Sequence, residues 1–130
     1  MKRAFGLLMP GVILVAATTS CLEDGFYCPT DVPGPVIVVT VRDGRTGEPA
    51  AKGAVGYVQA GDYVDSLRVC AVTNDGVPTI LCAAFKAGVY DVVINKPRYK
   101  QWSRTNVRVW NGHCGPVPVD LEAALEPIDD

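Results

Sequence analysis

Five cysteines are the residues of this 130-residue chain whose chemistry is easiest to specify. A cysteine thiol can be acylated, oxidised to a disulfide or used as a metal ligand, and an odd number of cysteines cannot all pair within one chain. The five are Cys21, Cys28, Cys70, Cys82 and Cys114. Cys21 stands apart because it follows a segment with the layout of an export signal. It is therefore considered separately from the other four cysteines.

The first 20 residues have the three parts of a secretory signal peptide. Lys2 and Arg3 form a positive start, an apolar run covers residues 4–17, and small residues fill positions 18–20. The apolar run is shorter than the roughly 20 residues that a transmembrane helix needs. We therefore predict a signal peptide over residues 1–20.

Residues 17–21, Ala-Thr-Thr-Ser-Cys, resemble a bacterial lipobox, with Thr18 in the place where leucine is commonest. The resemblance implies that the thiol of Cys21 receives a diacylglyceryl group and that cleavage makes this residue the mature N terminus. Two or more acyl chains hold a protein stably on a membrane. Leu22 after the cysteine favours the outer membrane if the cell has two. The alternative is an ordinary secreted protein cut nearby, with Cys21 free or paired.

The other four cysteines suit disulfides, which exported proteins tend to hold, and four cysteines allow three connectivities. Cys70 and Cys82 lie six residues on either side of Gly76, the middle of a predicted hairpin. Opposed positions on paired strands bring side chains close together. We therefore predict a Cys70–Cys82 disulfide, which leaves Cys28 with Cys114. The alternative is that Cys70 and Cys82 are reduced and buried.

The sequence contains no recognisable catalytic or metal-binding motif. The one histidine, His113, falls short of a catalytic zinc site, which normally has three protein ligands. The two serines after the signal, Ser66 and Ser103, lie in no G-x-S-x-G motif. No C-x-x-C spacing and no phosphate-binding glycine loop is present. We predict no catalytic residues, no metal and no cofactor.

Composition points to one β domain that does not bind nucleic acid. Removing Lys2 and Arg3 with the signal leaves ten basic against 14 acidic residues, whereas a nucleic-acid-binding domain is normally basic. The remaining length suits one ordinary domain. Valine favours strands, and frequent glycine and proline mark turns.

Seven segments alternate with turn residues at spacings of about ten residues, which is typical of an immunoglobulin-like sandwich. In one of them, Tyr90, Val92 and Ile94 share a face by period-two alternation. We predict an all-β, seven-stranded sandwich, with a small β-barrel as the main alternative. The segments are 36–41, 54–60, 63–73 with a break near residues 65–66, 79–85, 89–95, 105–110 and 116–125.

The domain boundaries follow from the same pattern. Residues 21–34 contain prolines and glycines and form a tether, residues 35–127 form the sandwich, and residues 128–130 form a loose end. Within the second segment, the small residues Ala54 and Gly56 would allow another layer to approach closely.

Several turn and core motifs resemble a carboxypeptidase regulatory-like domain over residues 35–127. They are residues 39–49 (VTVRDGRTGEP), 73–76 (TNDG), 87–94 (AGVYDVVI), 97–99 with Trp102, and the ending 113–125. The resemblance implies a seven-stranded, transthyretin-like sandwich in a bacterial lipoprotein. In metallocarboxypeptidases this domain follows a zinc-dependent catalytic domain, of which nothing is present here. The resemblance therefore carries over no functional residue.

A basic stretch and three aromatic residues near the end of the chain are the candidate binding residues. The cations Lys96, Arg98, Lys100, Arg104 and Arg108 have no acid among them. The alternative is a solvated outer face, with the aromatic residues at 99 and 102 packed over one end of the sandwich. We single out Tyr99, Trp102, Arg104, Arg108 and Trp110.

Alternation places Arg108 and Trp110 on the strand face opposite Val107 and Val109. Such a face could meet anionic headgroups or an acidic glycan, and exposed aromatic rings can anchor sugars or protein partners.

Together these features predict a lipid-anchored, non-enzymatic β-sandwich of the bacterial cell envelope that acts as an interaction or structural accessory module. Its partners would be the membrane, through the N-terminal lipid, and an envelope protein or glycan. The main alternative is a carbohydrate-binding module that uses exposed aromatic residues. A small hydrolase built from carboxylates is a more distant alternative.

Overall fold

The computed structural model describes residues 34–129, which form no helix and consist of strands and turns. The predicted signal peptide, Cys21 as the predicted site of acylation, residues 21–33 of the predicted tether, Cys28 and Asp130 lie outside the described residues. The strands are β1 (Ile37–Asp43), β2 (Val55–Ala60), β3 (Tyr63–Ser66), β4 (Arg68–Val72), β5 (Pro78–Ala83), β6 (Gly88–Asn95), β7 (Trp102–Val109), β8 (Asn111–Gly112), β9 (Gly115–Pro116) and β10 (Val119–Leu125). The predicted all-β class is confirmed.

Two four-stranded sheets enclose the core. The first sheet has the order β10-β1-β5-β4 and the second has the order β3-β2-β6-β7, while β8 and β9 form a separate ribbon. The pairing of β1 with β10 is parallel, and the other pairings are antiparallel. Tyr90, Val92 and Ile94 of β6 are all fully buried, as their alternation predicted. They pack in one core with residues of β1, β5 and β10, so the chain is a β-sandwich-like fold.

The strand predicted over residues 63–73 is divided between the two sheets. β3 lies at the edge of the second sheet, β4 lies at the edge of the first, and Leu67 joins them. Asp65 stabilises this crossing because its carboxylate accepts a hydrogen bond from the backbone N–H of Ala84 at 2.8 Å and pairs with Arg68 at 3.0 Å. This division and the β8–β9 ribbon give ten strands where the sequence indicated seven.

Gly56 lets the crossing pack closely against the second sheet. The N–H of Leu67 donates to the carbonyl oxygen of Gly56 at 2.9 Å. A Cβ atom at position 56 would lie 2.8 Å from Cδ1 of Leu67 and would collide with the carbonyl oxygen of Val93. The close approach at Gly56 is therefore to Leu67 of the crossing and to β6 of the same sheet, whereas the sequence predicted the approach of another layer.

The predicted Cys70–Cys82 disulfide is confirmed, with the two Cα atoms 5.9 Å apart. The two residues are not directly opposed, however, because Cys82 faces Arg68 and a bulge lies between Val69 and Ala71. The hairpin prediction assumed an unbroken ladder and therefore missed this diagonal arrangement.

Cys114 is also disulfide-bonded. Its predicted partner, Cys28, lies outside the described residues, so the Cys28–Cys114 pairing stays a prediction.

The C-terminal residues are tied to neighbouring loops. The N–H of Ile128 donates to the carbonyl oxygen of Arg98 at 2.9 Å, and Asp129 pairs with Arg45 at 2.6 Å. The end predicted to be loose, residues 128–130, therefore makes two contacts within its described part.

Candidate interaction surface

The outward side of the second sheet carries five of the eleven exposed large hydrophobic residues in the described part of the chain. Residues paired across neighbouring strands share a face, so the register and the buried positions identify which side chains point outward. We call this surface the outer face of the second sheet. Its members are Val55, Tyr57, Gln59, Val64, Ser66, Val89, Asp91, Val93, Asn95, Ser103 and Arg108, with Trp110 directly after β7.

Five large apolar side chains on this outer face are open to solvent. Their exposed fractions are 64% for Val55, 38% for Tyr57, 56% for Val64, 46% for Val89 and 63% for Trp110. An antiparallel sheet with one solvated face normally carries polar residues there. Contiguous exposed apolar patches are typical of interaction sites, so this outer face is the candidate surface.

The first sheet provides the contrast within the same molecule. Its outer face carries the ion pair of Arg42 with Glu122 at 3.5 Å, together with the exposed residues Arg68 and Asp120. On the outer face of the second sheet, only Asp91 and Arg108 are charged. The two outer faces therefore differ in polarity, and the second is the one suited to burial against a partner.

Arg108 and Trp110 lie side by side at the edge of this outer face. Cζ of Arg108 is 5.0 Å from the centroid of the Trp110 ring, which is a cation–π contact. Val107 and Val109 are buried, so the predicted alternation of this segment is confirmed. Arg108 is paired with Val89 of β6 and therefore borders the apolar part of the face.

Trp102 and Arg104 lie on the opposite face of β7. They pair with Ile94 and Val92, whose side chains point into the core, and Trp102 packs partly against that core. Cζ of Arg104 is 5.4 Å from the Trp102 ring. The change of face comes from a bulge that contains Asn106, at a φ of 57°.

Sequence alternation alone could not show this change of face. Asn106 was the one residue of this segment that could have indicated a bulge, because asparagine tolerates positive φ better than most residues.

Tyr99 closes one end of the sandwich. Its hydroxyl donates to Oδ2 of Asp43 at 2.6 Å, and it forms an isolated bridge with Pro127. This hydrogen bond, with backbone N–H donors from Arg45 and Thr46, lowers the pKa of Asp43 to about 2. The same hydrogen bond raises the pKa of Tyr99. Tyr99 therefore contributes to the fold at this end and lies apart from the outer face of the second sheet.

The basic stretch is also dispersed. Lys96 donates to the carbonyl oxygen of Ala50 at 2.9 Å, and Lys100 pairs with Glu126 at 3.2 Å. Of the five candidate binding residues, the structure thus brings together two pairs, Trp102 with Arg104 and Arg108 with Trp110. The two pairs do not meet on one surface.

Sequence reasoning missed the apolar residues of β2 and β3 on the outer face. β2 reads Val-Gly-Tyr-Val-Gln-Ala, with apolar residues at both inward and outward positions. Apolar residues on both faces of a short strand are the usual pattern of a strand buried on both faces. The sequence did offer one signal. In a strand with one solvated face, outward positions are normally polar, yet Val55 and Tyr57 of β2 are apolar.

Within residues 34–129, no group of three or more histidine, cysteine or carboxylate side chains is placed to hold a metal ion. The same residues include no helix with the length and hydropathy needed to cross a membrane. No family model matches the chain, and no curated protein matches it.

Proposed function

We propose that the chain is a lipid-anchored, non-enzymatic module of the bacterial cell envelope that binds another envelope macromolecule through the outer face of the second sheet. One observation carries this proposal. Five exposed apolar side chains lie on a face with only two charged residues, whereas the outer face of the first sheet is charged. Burying such a face removes apolar surface from water at little desolvation cost.

The lipid anchor is supported by the sequence of residues 1–21. β1 begins at Ile37, so about 15 residues would separate the acylated Cys21 from the sandwich, a span of at most about 50 Å when extended. A disulfide from Cys28 to Cys114 would shorten this link. The sandwich would then lie close to the membrane, within reach of other anchored proteins.

The carboxypeptidase regulatory-like assignment, with its transthyretin-like or immunoglobulin-like topology, is supported by where its motifs fall. Residues 39–49 cover most of β1 and the following turn, in which Gly47 has a φ of 78°. Residues 87–94 cover most of β6, whose inward side chains build the core. These positions serve folding, which agrees with a family resemblance that assigns no catalytic residue.

A carbohydrate-binding role is favoured by one observation, the exposed ring of Trp110. Trp102 and Tyr99 are partly buried against the core at other places, so the three rings do not form a common platform. A sugar ligand would therefore rely on a single aromatic ring. Quenching of tryptophan fluorescence by envelope polysaccharides, compared between the natural protein and Trp110→Ala, would test this role.

Cross-linking in intact cells tests the interaction module. We expect the full-length protein to give cross-linked products that weaken in Trp110→Ala and Arg108→Ala. Asp120→Ala, on the exposed outer face of the first sheet, is the matched control and should leave these products unchanged. Equal products from Trp110→Ala and the natural protein would refute the proposed face. A purified protein that turns over a substrate, and loses this on a single pocket substitution, would refute the non-enzymatic role.

A further inference from the structure

We propose that the macromolecule bound by the outer face of the second sheet is a second copy of this chain, related by a two-fold axis. This inference rests on the proposed function and names its partner. The face is the outward side of a four-stranded sheet, and sheets pack face to face at a separation of about 10 Å. A helical peptide would instead need a groove, and an extended peptide would pair with an edge strand, β3 or β7, rather than cover the face.

The charges on the face are self-complementary. Asp91 and Arg108 are its only charged members, and they have opposite signs. Arg108 is paired with Val89, and Asp91 lies two residues further along β6, so the two charges are diagonal neighbours. In the described part of the chain, neither of them takes part in a salt bridge.

A two-fold axis in the plane between two such faces can satisfy both charges. Suppose that the axis passes midway between Asp91 and Arg108 and is perpendicular to the line that joins them. Each Asp91 then meets Arg108 of the second copy. The ion pair therefore forms twice, as a closed symmetric interface requires. A partner of one net charge would leave one of these two residues opposed to a like charge.

The same axis also matches the apolar residues. With strands about 4.8 Å apart and residues about 3.4 Å apart, it places Val89 close to Val89 of the second copy. It also places Trp110, which projects at the edge of the face, over Tyr57 and Val64 of the second copy. The most exposed aromatic ring among the described residues thus covers apolar side chains that are otherwise open to water.

The size of the face sets the expected strength. Four strands of about six residues cover roughly 19 Å by 20 Å, or about 380 Å² per copy, which is about half of the roughly 800 Å² per partner that a standard specific interface buries. The dimer should therefore be weak in dilute solution. Attachment to one membrane raises the effective concentration of the two copies, so association should be stronger in the envelope.

Cysteine cross-linking of the full chain in membranes tests the arrangement. Val89→Cys should form a disulfide-linked dimer on mild oxidation, because this position lies next to the axis. Val55→Cys is the matched control on the same exposed face, but it lies about 18 Å from the axis and should not cross-link to itself. The natural protein controls for its own cysteines. Dimer from Val55→Cys equal to that from Val89→Cys would overturn the arrangement.

Charge reversal provides a second test in the Val89→Cys background. Asp91→Arg and Arg108→Asp, each expressed alone, should reduce the cross-linked dimer about tenfold, because each creates two like-charge contacts. Co-expression of the two variants with tags of different size should restore a mixed dimer. Failure of the mixed dimer to form would refute the Asp91–Arg108 contact.

The outcomes separate this inference from the proposed function. If Val89→Cys yields no dimer while cross-links to another envelope component still depend on Trp110, the interaction module stands and the second copy is wrong. If neither kind of cross-link depends on the face, both proposals are wrong.

Discussion

Removing the Cys70–Cys82 disulfide should destabilise the domain by about 3 kcal/mol. The two cysteines are 12 positions apart in sequence. In the chain-entropy model, a loop of this size loses closure entropy equivalent to about 3 kcal/mol in the unfolded state at 25 °C. For a domain of this length, that change lowers Tm by roughly 12–24 °C.

The location of the disulfide makes the measurement informative. Cys70 is exposed on β4, an edge strand, whereas Cys82 is 4% exposed on β5. Cys70→Ala therefore removes the cross-link with little loss of packing. The double variant Cys70→Ala/Cys82→Ala removes the cross-link and the buried sulfur together. The difference between the two variants measures the packing of Cys82.

Guanidinium unfolding, followed by tryptophan fluorescence, is the assay. The free energy of unfolding should fall by about 3 kcal/mol in Cys70→Ala. The m-value should rise, because the unfolded chain without the cross-link exposes more surface. A loss below about 1 kcal/mol with an unchanged m-value would refute the reasoning. It would mean that the unfolded hairpin retains enough structure to make the cross-link redundant.

Three other predictions concern the fold. Gly56→Ala should lower the free energy of unfolding by about 1–3 kcal/mol or more, because the added methyl group overpacks the site. Thermal denaturation measures this change. Gly34→Ala is the control and should have no effect, because nothing lies within 4 Å of a Cβ atom at that position. Tyr90→Phe should cost about 0.5–1.5 kcal/mol in guanidinium unfolding, because the buried hydroxyl donates at 2.7 Å to a backbone carbonyl oxygen, and an unchanged stability would contradict this role. Because the folded pKa of Asp43 is lowered to about 2, its contribution to stability is present above its ordinary pKa of 3.8 and is lost as the pH falls through about 2. NMR titration should show that Tyr99→Phe raises the pKa of Asp43, and an unchanged pKa would exclude the hydroxyl as its main cause.

The parts of the fold that the sequence predicted are those governed by local alternation. Val92 and its neighbours on β6 are buried as their spacing required, because one side of an antiparallel strand must face the core. The parts that it did not predict are irregularities of the ladder. The break predicted near residues 65–66 lies next to Leu67, but the change of sheet there was not predicted. Bulges at Cys70 and Asn106 also shift the register. Such positions depend on contacts with distant strands, so a local pattern does not specify them.

The candidate surface was predicted in part for the same reason. Arg108 and Trp110 follow an undisturbed stretch of alternation, and their orientation could be inferred. Trp102 lies beyond the bulge, so the inference did not extend to it. The exposure of Val55 and Tyr57 was not predicted, because an apolar outward side chain in a short strand has the same sequence pattern as a buried one.

The parallel pairing of β1 and β10 determines how the domain responds to a mechanical load. Seven residue pairs join the two strands, from Ile37 with Val119 to Asp43 with Leu125. Tension between the start of β1 and the end of β10 pulls the strands along their length, so the pairs resist together rather than opening one after another. A force applied at these two ends would therefore load all seven pairs of this ladder before either strand detaches.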